Sequence, residues 1–116
     1  MWSALCGGRS GIATISAFDT EGFETTIAGE VRDFSPLDYM DRKEARKTDR
    51  FTQFALAAGR MAMEDSGIEV VGGLAEEFGV SIGSGIGGLH TIEDFHNTLL
   101  RRGPRKVSPF SMPRLL

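Results

Sequence analysis

Apolar residues along this chain recur with two distinct periods. Between Thr48 and Ser66, Phe51, Phe54, Ala55, Ala58, Met61 and Ala62 fall three or four positions apart, which gathers them on one helical face. Gln53, Arg60 and Glu64 mark the opposite, wet side. Thr48 or Asp49 can cap the first amides of this helix, and Gly67 supplies a left-handed stop. Leu89, Ile92, Phe95 and Leu99 predict a second amphipathic helix, ended by Gly103 and Pro104. Shorter β-prone runs cover Ile12 to Ile15, Thr25 to Val31 and Phe78 to Ile82, the last read as a short buried strand. Trp2 to Leu5 reads as the tail of a helix closed by Gly7 and Gly8, and Phe34 to Tyr39 as a loop or short helical turn. Pro113 suits the first position of another helix. Both ends therefore read as cuts through structure. The pattern predicts an α/β fold with about three strands and two main helices.

Composition narrows the class. A length of 116 residues suits one ordinary domain and is short for two. No apolar run approaches the roughly 20 residues of a spanning helix, and the start lacks a signal peptide's basic and apolar regions. With a single Cys there is no internal disulfide, so a soluble, intracellular protein is expected. The net charge of −3 gives no nucleic-acid footprint but conceals an uneven distribution. Of 13 basic residues, nine lie in two stretches: Arg42, Lys43, Arg46, Lys47 and Arg50, then Arg101, Arg102, Arg105 and Lys106. By themselves these are solvated surfaces or sites for an acidic partner.

Three candidate chemistries fail on their surroundings. Gly83, Gly85 and Gly88 satisfy G-x-G-x-x-G between a predicted strand and a helix, the spacing that brings amides to a dinucleotide pyrophosphate. The following helix leads into Arg101 to Pro109, without the second strand and ribose-binding acid that this motif needs. No Lys-Ser or Lys-Thr pair follows, which excludes a P-loop. His90 and His96 point about 120° apart on a helix, unlike a zinc-binding pair one turn apart. Cys6 ends a helix, where the dipole opposes a thiolate, and reads as a small packing residue.

In combination, the segments resemble the elongating β-ketoacyl-acyl carrier protein synthases. The resemblance rests on Ser10-Gly11-Ile12, Phe18-Asp19, Ala28-Gly29-Glu30-Val31, Arg42-Lys43-Glu44, Asp49-Arg50-Phe51, Asp65-Ser66-Gly67, Gly83 to Gly88 and Gly103 to Phe110. It covers essentially the whole chain, residues 1–116, in order. It implies part of the first half of a thiolase-like, five-layered αβαβα architecture. It also implies an acyltransferase that condenses acyl and malonyl units during fatty-acid elongation. The family's first strand is expected before Met1, its nucleophilic cysteine beyond Leu116, and its two catalytic histidines later still. Cys6, His90 and His96 match no catalytic position, so the chain alone is expected to be inactive.

By position, the resemblance places Ile86 at the gate of the acyl pocket, with Ser111 near that pocket and the dimer interface. Lys43, Arg46, Lys47, Arg105 and Lys106 fall at basic positions that contact acyl carrier protein. It further implies a cytoplasmic homodimer (organellar in a eukaryote), with no cofactor, metal, membrane or nucleic-acid partner. Two alternatives stay open: a polyketide ketosynthase, and a non-catalytic module that binds carrier protein.

Overall fold

The computed structural model describes residues 2–115, which divide into two compact units between Phe34 and Ser35.

In the first unit, α1 (Trp2–Cys6) is a single turn that buries none of its residues. It closes where Gly8 adopts φ 63°, allowing the Gly8 N–H to reach the Leu5 carbonyl at 3.1 Å. Cys6 is exposed, which corrects its reading as a packing residue. The strands β1 (Ala13–Thr14) and β2 (Ile27–Ala28) pair antiparallel, with Ala13 opposite Ala28 and Thr14 opposite Ile27. Both are shorter than the β-prone runs around them, because each has only the other as a neighbour. Glu30 fastens this ribbon. Its carboxylate accepts the Ser16 N–H at 2.9 Å, the Ser16 hydroxyl at 2.8 Å and the Ala17 N–H at 3.0 Å. Arg32 pairs with it at 3.0 Å and also donates to the Thr14 carbonyl. The Ser16 amide, the Ser16 hydroxyl, the Ala17 amide and the Arg32 guanidinium together hold the Glu30 carboxyl down at about 2, against a smaller opposing effect of burial.

The second unit begins with a 3-10 turn, Pro36–Asp38, and α2 (Arg42–Lys47). Asp41 caps α2 by accepting the Lys43 and Glu44 N–H groups at 2.7 and 2.9 Å. The chain then turns into α3 (Arg50–Ser66), capped by Asp49 and stopped by Gly67 at φ 64°, as the sequence predicts. Gln53 is not on a wet side: its amide donates to the Ala45 and Thr48 carbonyls, at 2.9 and 3.2 Å, and locks the corner between α2 and α3. Arg60 and Glu64 do face solvent, paired at 2.9 Å.

After α3 comes α4 (Leu74–Glu77), which the hydrophobic pattern does not predict. Then α5 (Leu89–Arg102), a 3-10 turn at Pro104–Lys106 and α6 (Ser111–Leu115) complete the unit. Pro113 is the third residue of α6, not its first. Phe78 to Ile82 joins no sheet ladder, so the described residues hold two strands where about three were expected. The cause is the lack of a partner: a strand gains its stability from cross-strand pairs, and no neighbouring strand exists here among the described residues. Val80 and Ile82 consequently stand 77% and 60% exposed, against the expectation of burial.

The core is correspondingly small. Ala57, just off the predicted apolar stripe of α3, is its one buried apolar residue among those described. Phe51, Phe54 and Ala55 are half-buried, whereas Ala58, Met61 and Ala62 lie open.

Candidate functional site

The half-buried end of α3 and the glycine-rich turn enclose a groove of about 790 Å³. Phe51, Phe54, Ala55 and Ala58 form one wall, and Ile82 and Ile86 the other. One turn of helix separates Phe51 from Ala55 and Phe54 from Ala58, so the aromatic rings alternate with small residues. Ile86 projects from the turn and is 71% exposed. The groove is lined mainly by carbon and suits an apolar chain.

The turn is built around Gly87 and Gly88. Gly87 has φ 72°, and a Cβ there would approach the Leu115 carbonyl to 3.0 Å and the Phe51 ring to 3.7 Å. Its N–H is held by the Ser84 hydroxyl at 3.0 Å. At Gly88 a Cβ would lie 2.5 Å from the Asp49 carboxylate. Gly83 and Gly85, by contrast, face open space. The start of α5 is thus occupied by a carboxylate of the chain itself, which disfavours a second anion there. Gly87 and Gly88 serve close packing rather than a pyrophosphate.

Asp49 joins the two long helices. One carboxylate oxygen accepts the Arg50 N–H at the start of α3, and the other accepts the Thr91 hydroxyl of α5. Both residues are buried, Asp49 at 9% and Thr91 at 3% exposure. Residues 42 positions apart meet here, and no local pattern announces it. The capping role of Asp49 was legible; its reach to Thr91 was not.

The other expected site residues lie in separate places. Ser111 is buried at the start of α6, its hydroxyl donating to the Ser108 carbonyl. It is not among the residues lining the groove with Ile86. Lys43, Arg46 and Lys47 are exposed on α2, and Arg105 and Lys106 on the 3-10 turn after α5. None of these five side chains forms an ion pair or hydrogen bond among the described residues. His90 sits 3.7 Å from Asp94 with both side chains largely in solvent. Cys6 is exposed in the first unit, and His90 and His96 hold exposed positions of α5 in the second. No helix among the described residues is long and apolar enough to cross a membrane.

Comparison with known proteins gives this geometry a context. The profile of the β-ketoacyl synthase N-terminal domain matches residues 1–115. A 3-oxoacyl-[acyl-carrier-protein] synthase 2 of Vibrio cholerae is 54% identical over 97% of this chain and 27% of its own length. The synthase of the same name from Staphylococcus aureus is 44% identical over 99% of this chain and 28% of its own. Among solved structures, the ishigamide ketosynthase/chain length factor superposes with a TM-score of 0.75 at 32% identity, covering 98% of this chain and 28% of that one. The chain therefore spans a little more than a quarter of the length of these relatives, and the α/β segments take their places in a thiolase-like fold. By its sequence from end to end and by its backbone, this chain belongs to the β-ketoacyl synthase family, matching its N-terminal domain.

Proposed function

We propose that this chain forms part of an acyltransferase that condenses acyl and malonyl groups, each carried by acyl carrier protein, in fatty-acid elongation. The observation that carries the reading is the set of five unpaired cations, Lys43, Arg46, Lys47, Arg105 and Lys106, on a chain 54% identical to a synthase named for that carrier. Exposed cations without partners are available to an acidic protein and steer its approach. The groove beside Ile86 supplies the complementary apolar element, with Ile86 gating the acyl chain. Ser111, its hydroxyl bound to its own chain, holds the start of α6 near that pocket. The large exposed apolar surface fits coverage by the remainder of a synthase and by a second subunit in a cytoplasmic homodimer.

In this reading the chain contributes binding surfaces and no bond-breaking group. The family's nucleophilic cysteine is expected outside this segment, and the exposed Cys6 matches no catalytic position. No cofactor is required for exchange of thioesters and loss of carbon dioxide. The ishigamide ketosynthase likeness supports a second reading, a ketosynthase of another pathway, but 32% identity against 54% favours elongation.

Charge reversal tests the proposal. Arg46, Lys47, Arg105 and Lys106 are changed together to Glu in an enzyme carrying this segment. A single exposed pair contributes about 0.2–1 kcal/mol, but four reversals replace attraction by repulsion within a Debye length of about 8 Å. KM for acyl carrier protein substrates should rise at low salt, while turnover of a carrier-free thioester stays unchanged. Equal losses on both substrates would remove the docking role.

A further inference from the structure

A second cavity, of about 380 Å³, lies where α6 packs against the end of α5. Arg101 and Arg102 from the last turn of α5 and Arg114 from α6 line it, together with Asp94, Phe95 and Thr98. Within it, the Arg114 Nε is buried and has no hydrogen-bond partner among the described residues. Neither Arg101 nor Arg102 forms an ion pair or side-chain hydrogen bond there. The one acid in the lining, Asp94, lies beside His90 at 3.7 Å and is 67% exposed. The carbonyl end of α5 carries about half a negative charge, which three guanidinium charges exceed.

We propose that this cavity binds a phosphate group, free or as a monoester. Guanidinium donors arrive from two elements, so an anion that accepts from several directions suits them better than a planar carboxylate, which accepts along one edge. A buried donor left unpaired is costly, and a phosphate oxygen would satisfy the Arg114 Nε. The volume lies in the range of small-molecule sites and leaves room for part of an esterified group. The site involves neither the Ile86 groove nor the five docking cations, so it does not rest on the acyl-transfer reading.

The test is a calorimetric titration of this chain with inorganic phosphate and with phenyl phosphate, at low constant ionic strength. Acetate and chloride serve as controls. Saturable binding of either phosphate, with neither control competing at equal concentration, is expected. Binding of only one of the two identifies the source as free or esterified phosphate. Arg114→Gln should weaken it about tenfold, and so should Arg101→Gln, whose exposed position poses little risk to folding. Arg60→Gln, at an exposed arginine of α3 that does not line this cavity, should leave it unchanged. No saturable binding, equal binding of acetate, or affinity indifferent to both Arg101→Gln and Arg114→Gln would overturn the assignment.

Discussion

Replacing Asp49 by Ala should cost more than any other single truncation in the second unit, because two helices lose a shared anchor. The carboxylate caps α3 through the Arg50 amide and simultaneously satisfies the Thr91 hydroxyl of α5. Loss of an N-cap costs about 0.5–2 kcal/mol. The abandoned hydroxyl, on a residue only 3% exposed, adds about 1–3 kcal/mol for an unmet polar group. Together these give roughly 1.5–5 kcal/mol, a large share of the stability of any small domain. Asp49→Asn keeps an acceptor for the cap and a group able to bond Thr91, and should recover most of the loss. The assay is urea denaturation followed by far-UV circular dichroism for the wild type, Asp49→Ala, Thr91→Val and the double variant. Since both single variants break the same contact, the double variant should cost clearly less than their sum. Additivity within about 0.3–0.5 kcal/mol would show that Asp49 and Thr91 act independently, and would refute the anchor.

Two other perturbations address the groove and the ribbon. Ile86→Phe, in an enzyme carrying this segment, should obstruct the apolar groove and lower kcat/KM for long acyl chains more than for short ones, with an overpacking cost of about 1–3 kcal/mol. Equal losses at all chain lengths would remove Ile86 from the gate. The Glu30 carboxyl, lowered from 4.5 to about 2, should stabilise the ribbon fully above pH 4.5 and lose that contribution as pH falls through about 2. A carbon-detected NMR titration of Glu30 measures this directly, and a midpoint near 4.5 would show that the Ser16, Ala17 and Arg32 donors do not hold it.

What the sequence reveals is mostly local. The end of α3 at Gly67 and its start at Asp49 follow from single residues with strong conformational preferences. The extents of β1 and β2, and the unpaired state of Phe78 to Ile82, depend on neighbours that periodicity cannot supply. The same holds for the apolar stripe of α3: its composition predicts burial, yet Met61 is 55% exposed because nothing among the described residues covers it. The candidate site divides similarly. The expectation for Ile86 and the basic residues comes from the order of several motifs, and Ile86 lines a groove together with Phe51 and Phe54. Arg114, one arginine beside a proline, carries no signal in the sequence until α6 packs on α5.

The proposed function makes this segment a source of binding surfaces for an elongating condensing enzyme. Its most direct test grafts the chain onto the Vibrio cholerae synthase in place of the matching 27% of that protein and measures β-ketoacyl product from acyl and malonyl carrier protein. Product is expected from the graft, none from this chain alone, and no effect of Cys6→Ala on the graft. A folded graft without condensing activity, or product from the isolated chain that Cys6→Ala abolishes, would contradict it.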